Sequence, residues 1–160
     1  MGGKEEKSIT FKVTINPFKE DKIIIRNAEA KQDGENIPGT EAEVEKEYVS
    51  ININKEFVDK ENIDKYRPTE VLFGLYANEN SNAIITTTTL NEQNNWKGSF
   101  TGLDKYDLET KALINYDVRE IEVDKNYTPT YDSERKGNNI TFNFTNIIKY
   151  ENVITSVTAN

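Results

Sequence analysis

The chain has 160 residues, 35% of them hydrophobic and 30% charged, with 10% aromatics and a formal charge of −8. That is about one domain with some chain left over, too aromatic for a disordered segment and too acidic for a phosphate-backbone partner. The absence of cysteine and histidine excludes disulfides, thiol catalysis, histidine metal sites and Ser-His triads. No apolar run is long enough to span a membrane, no signal peptide opens the chain, and Met1-Gly2-Gly3 reads as an expression start.

Strand patterns follow one another along the chain. Ile9 to Ile15 alternates apolar and polar residues, as a half-buried strand does. Lys22 to Ala30 is a second apolar run and Thr40 to Val44 a weaker third, with turn signals at Asp33-Gly34 and Pro38-Gly39. From Tyr48 the alternation restarts through Val49 to Phe57, and a polar loop follows from Asp59 to Arg67. Val71 to Tyr76, the Thr-rich Ile84 to Leu90 and Trp96 to Phe100 are the next strands. Ala112 to Val123 is the longest alternating run, Tyr127 to Tyr131 is a short strand, and Ile140 to Ile148 closes the series. No segment has a helical period. Seven or more short strands between regular turns predict an all-β, Ig-like β-sandwich.

A junction is expected near Glu45 to Tyr48. Residues 1–46 hold about three strands, too few to close a sandwich, whereas 47–149 has the size of a complete one. Residues 150–160 read as a linker or the start of a next repeat, because Ile154 to Asn160 loosely repeats the pattern of Val49 to Asn54.

Parity along the strands sorts side chains by face. Ile51, Ile53, Lys55 and Phe57 share one face; Ile140, Phe142, Phe144 and Asn146 share another; Ile114, Tyr116, Val118 and Glu120 share a third. Three strands of the core thus each present one polar group, a Lys, an Asn and a Glu. Three readings are open. Each group sits at a strand end and reaches solvent, as a snorkelling Lys does. Alternatively, Lys55 and Glu120 form a buried ion pair, costly to desolvate. Or burial makes Lys55 a neutral amine and Glu120 a protonated acid. The amine then attacks the Asn146 carboxamide and expels ammonia. Asn143, near Asn146, has outward parity. Glu122 shares the parity of Glu120, so a bulge or the strand end must separate their roles.

Several segments resemble the Cna B-type domains of Gram-positive collagen adhesins and pilins. Lys55-Glu56-Phe57, Lys65 to Val71 and Gly74 to Asn78 are similar to the family's opening. Asn94-Asn95-Trp96, Phe100 to Leu103 and Lys105-Tyr106-Asp107 match its middle. Tyr116 to Glu120 resembles its glutamate box, and Phe144-Thr145-Asn146 its closing strand. The resemblance covers roughly Val49 to Ile148. It implies a reverse-Ig-like sandwich in which Lys55 bonds to Asn146 with Glu120 as catalyst. Phe57 stands where Trp is usual, the loop from Asp59 to Arg67 lacks a common glycine, and Asn126-Tyr127 replaces a frequent Gly-Tyr. Ile9 to Val44, centred on Ile25 to Ala28, resembles the last strands of a fimbrial D2-type isopeptide domain. Asn27 would be the bonded Asn there, but the corresponding Lys strand is missing and Lys12 has outward parity.

The resemblance implies a stalk or spacer of a surface adhesin or pilin, extracellular and anchored to the cell wall by a signal outside this sequence. Its partners would be neighbouring domains of the same protein and host extracellular matrix, with no nucleic acid, membrane insertion, cofactor or metal. It would be no enzyme, since self-cross-linking happens once per molecule. The alternative is a module binding a host protein or glycan through Tyr66, Tyr106, Tyr127 and Tyr131. A glycoside hydrolase using Glu120 and Glu122, and calcium at Asp59, Glu61 and Asp64, are weaker readings.

Overall fold

The computed structural model describes residues 14–26, 30–32, 35–37, 41–62 and 65–150. The chain divides into two compact units: Met1–Lys46 with Tyr106–Ala112, and Glu47–Lys105 with Leu113–Asn160. Of the first, β1 (Lys22–Arg26) pairs antiparallel with β4 (Glu41–Glu45), and β2 (Ala30–Gln32) pairs antiparallel with β3 (Glu35–Ile37). The predicted run from Lys22 to Ala30 is therefore two strands. Of the predicted strand from Ile9 to Ile15, only Thr14 and Ile15 lie among the described residues, and they are not in a strand.

The second unit is a β-sandwich of two sheets. One has the order β10-β11-β5-β8, from β10 (Tyr127–Lys136), β11 (Asn139–Ile148), β5 (Tyr48–Val58) and β8 (Lys97–Asp104). The other has the order β7-β6-β9, from β7 (Ile84–Asn91), β6 (Glu70–Tyr76) and β9 (Asp117–Ile121). The first and last strands of this unit, β5 and β11, are parallel neighbours. A parallel pair needs a long connection, and here nearly the whole sandwich supplies it. Among the described residues the only helical turns are two short 3₁₀ segments, Lys60–Asn62 and Glu92–Asn94.

Alternation places one face of each central strand inside. Val49, Ile51 and Ile53 from β5 meet Val71, Phe73 and Leu75 from β6, Leu90, Val118, and Ile140, Phe142 and Phe144 from β11. Gly98 lets β8 approach this core: a Cβ there would sit 2.7 Å from a methyl of Leu90, closer than packed atoms tolerate.

Two strand lengths differ from expectation. The run from Ala112 to Val123 contributes only Asp117–Ile121 as a strand. The Asp107 carboxylate accepts bonds from the backbone of Glu109 and Thr110 and from the Thr110 hydroxyl, and Lys111 has a left-handed backbone. That turn takes up the start of the run, and of residues 113–116 only Leu113 makes an isolated bridge. Conversely, the strand expected to end at Tyr131 continues to Lys136. Residues 132–136 are polar and exposed at the sheet edge, so they carry no hydrophobic alternation. Their pairing with β11 across Gly137, at φ 62°, holds them in the sheet.

Candidate functional site

Lys55 lies near the end of β5, Asn146 near the end of β11 and Glu120 in β9 of the opposite sheet. In the parallel register Lys55 faces Phe144 and Phe57 faces Asn146. Lys55 and Asn146 are therefore diagonal neighbours on the inner face, within reach of each other for a long side chain. Glu120 comes from across the sandwich, where it pairs with Phe73. Its Oε2 accepts from Lys55 Nζ at 2.9 Å, and its Oε1 accepts from Asn146 Nδ2 at 2.8 Å. The Lys55 side chain is wholly shielded from solvent, Glu120 is 4% exposed and Asn146 1%. The strand-end reading of these three residues is thereby excluded; the ion pair is present.

The electrostatics follow from this enclosure. Burial pushes the Lys55 ammonium below its ordinary value of 10.5, and the bond to Glu120 only partly opposes that. Asn146 Oδ1 has no hydrogen-bond partner among the described residues, so half of the carboxamide is buried without compensation, a state that ordinarily costs about 1–3 kcal/mol.

Aromatic rings close the site. Lys55 Nζ lies 5.0 Å from the centre of the Phe57 ring, which meets Trp96 edge-on at 4.9 Å and Tyr127 at 5.4 Å. Phe144 packs on Phe73 at 4.8 Å. Phe57, at the position where the family resemblance leads one to expect Trp, thus covers the amine with Trp96 beside it.

Parity correctly separates the neighbouring candidates. Asn143 faces outward, accepting from Asn54 Nδ2 at 2.8 Å and donating to Asp132 Oδ1 at 2.8 Å. Glu122 lies beyond the end of β9, exposed and with φ 59°, so the strand end separates it from Glu120. Asn27 and Lys12 lie outside the described residues.

One cluster was not legible in the sequence. The Asp59 carboxylate accepts two bonds from the Arg67 guanidinium, one from the Tyr127 hydroxyl at 2.9 Å and one from the Asn62 backbone at 3.1 Å. Arg67 chiefly, against the opposing effect of burial, holds this carboxyl below the usual range. The calcium reading of Asp59 therefore fails here, because its oxygens are taken by Arg67 and Tyr127; Asp64 lies outside the described residues. Of the tyrosines offered above for binding a host protein or glycan, Tyr127 is only 1% exposed and Tyr106 is half-buried, whereas Tyr66 and Tyr131 are exposed. Asp59 and Arg67 lie in a loop, where no period signals which side chains turn inward.

A β-sandwich whose first and last strands are parallel neighbours, with a Lys-Glu-Asn trio bridging its two sheets, defines the architecture. Residues 51–151 match the family model described as Cna protein B-type domain, and the chain belongs to this family. It is 37% identical over 95 residues to a collagen adhesin of Staphylococcus aureus, covering 59% of this chain and 8% of that protein. Its fold is similar to a single B repeat unit of the collagen binding surface protein of Staphylococcus aureus. The TM-score is 0.55 at 28% identity, over 75% of this chain and 70% of that one. A structure of two such B repeat units aligns with TM-score 0.50 at 27% identity, over 71% of this chain and 34% of that one. The sandwich is thus the Ig-like, Cna B-type fold expected from the sequence. Among the described residues no helix is long and apolar enough to cross a membrane.

Proposed function

We propose that this chain is a stalk or spacer segment of a Gram-positive surface adhesin or pilin, stiffened by a self-formed isopeptide bond between Lys55 and Asn146. The observation that carries the reading is the buried trio. The proton shared over 2.9 Å between Lys55 and Glu120 can reside on either partner. On Glu120 it leaves a carboxylic acid and a neutral amine, the form that burial favours for Lys55. Rotating the Asn146 amide by half a turn presents the unpartnered Oδ1 to the acid, which polarises the carbonyl. The Lys55 Nζ–Cγ bond forms and the Cγ–Nδ2 bond breaks. The nitrogen leaves as ammonia, taking one proton from Nζ by way of the carboxyl, which ends protonated. Glu120 acts as acid and base, and the reaction runs once per molecule without cofactor.

In this reading residues 47–149 form the load-bearing sandwich and 150–160 lead toward a next domain. Residues 1–46 are the closing strands of a preceding domain, and the D2-type likeness and the role of Asn27 rest on sequence pattern alone. The parent protein is extracellular and wall-anchored, with neighbouring domains and host matrix as its partners.

Intact mass is the direct test. The purified chain is expected about 17 Da below its calculated mass, the ammonia lost when an amine displaces an amide nitrogen. Lys55→Ala, Glu120→Gln and Asn146→Ala are expected at full mass, and Asn143→Ala with the deficit. A wild-type chain of full mass removes the cross-link from the proposal.

A further inference from the structure

The reaction proposed above exchanges one amide for another, so its own driving force is small. Departure of ammonia is what makes it irreversible. Yet Asn146 is 1% exposed and the Glu120 side chain 4%, so the ammonia is released among buried side chains. One feature of the fold relieves this. β10 shares the inner face of its sheet through Pro129, opposite Asn146, and Tyr131, opposite Phe144. The opposite sheet ends at its edge strand β9, whose last residue is Ile121. The inner face of β10 is therefore left uncovered: Pro129 is exposed and Tyr131 is 62% exposed although its ring stacks on Phe144. Between β9 and β10 lies a cavity of about 240 Å³, walled by Val118, Val123, Pro129, Tyr131 and Phe144, with Glu120, Arg119 and Thr130 also lining it.

We propose that this cavity is the port of the cross-linking site, through which neutral ammonia leaves and through which a small monocarboxylic acid can reach the position of the Glu120 carboxyl. Its mainly apolar wall suits uncharged ammonia and a protonated short-chain acid, and disfavours ammonium and bulk water. The inference rests on the cross-linking reading, and the test separates the two.

Glu120→Ala opens a vacancy at the inner end of the cavity. Propionic acid, added as its buffer near pH 5, is expected to restore the mass deficit of about 17 Da in this variant with saturating dependence on its concentration. Glu120→Gln, which leaves no vacancy, is expected to stay at full mass. Adding Pro129→Phe to Glu120→Ala fills the outer wall and is expected to abolish the rescue. In the wild-type background, with chain synthesised chemically so that it is unreacted when first folded, Pro129→Phe is expected to slow the appearance of the deficit by about tenfold, a barrier increase of ~1.4 kcal/mol, with folding itself followed by Trp96 fluorescence. That variant keeps the test decisive if Glu120→Ala does not fold.

A folded Glu120→Ala chain that propionate leaves at full mass, beside a wild type with the deficit, overturns the port and leaves the cross-link standing. Equal rescue with and without Pro129→Phe, or an unchanged wild-type rate, does the same. A wild type of full mass overturns both.

Discussion

At the scale of single residues, the three polar side chains of the site are each costly to bury alone and acceptable together. An ammonium taken out of water without a partner is penalised by several kcal/mol, and Glu120 offsets that at 2.9 Å. The same proximity sets the pH dependence of the proposed reaction. The reactive form, a neutral amine beside a protonated acid, holds the same single shared proton as the ion pair, so its rate is level while the pair keeps that one proton. Losing it on the alkaline side leaves no acid for Oδ1. Because burial lowers the Lys55 pKa, the rate of cross-linking is expected to fall at a pH below the 10.5 of an ordinary lysine. Mass spectrometry of chemically synthesised, unreacted chain folded for the first time at a series of pH values reads this directly. A rate still rising at pH 10.5 contradicts the assignment.

At the scale of elements, the loop after β5 is held by charge where the flanking strands are held by apolar packing. Asp59 gathers Arg67, Tyr127 and the Asn62 backbone, which joins the loop to the start of β10. Arg67 also lies 5.1 Å from the centre of the Phe57 ring, so the clamp backs the ring that covers Lys55. Asp59→Asn removes a charge-assisted double contact between the buried Asp59 carboxylate and the half-buried Arg67 guanidinium. It is expected to cost about 2–4 kcal/mol in urea unfolding, measured in a Glu120→Gln background so that no cross-link masks the loss. The pH dependence has a definite sign. Asp59 is held below its ordinary 3.8 in the folded chain, so its contribution is present above that value and is lost as pH falls through the lowered folded pKa. The uncross-linked variant is expected to lose this stability only below pH 3.8, and Asp59→Asn to lack that acid limb.

For the whole sandwich, the parallel pairing of β5 with β11 decides how force is carried. The chain enters at the start of β5 and leaves at the end of β11. Tension therefore shears the shared ladder, loading its hydrogen bonds together instead of one at a time. A Lys55–Asn146 bond would close a loop with a sequence separation of 146 − 55 = 91. By the entropy argument used for disulfides that is worth about 4–5 kcal/mol, model-dependent, and a rise in Tm of roughly 15–30 °C. Pulling on single molecules distinguishes the states more sharply. The wild type is expected to show no extension from 55 to 146, whereas Glu120→Gln releases about 30 nm of chain at 3.3–3.6 Å per residue. Wild-type extension of that length excludes the bond.

What was readable from sequence alone is what a period of two encodes. Strand alternation picked Lys55, Glu120 and Asn146 out of an apolar face and turned Asn143 away, because successive side chains on a pleated strand must point to opposite sides. The turn and strand signals between them determined the sandwich class. What needed the tertiary structure is what lies off that period. Asp59 and Arg67 meet through a loop, Tyr127 is buried by packing against Phe57, and residues 132–136 stay in the sheet because β11 pairs with them. The union of Glu120 with the other two likewise crosses from one sheet to the other, and the end of β9 at Ile121 leaves the inner face of β10 uncovered. A strand's own sequence specifies which face each residue takes; which partner waits opposite that face is decided only when the sheets close on one another.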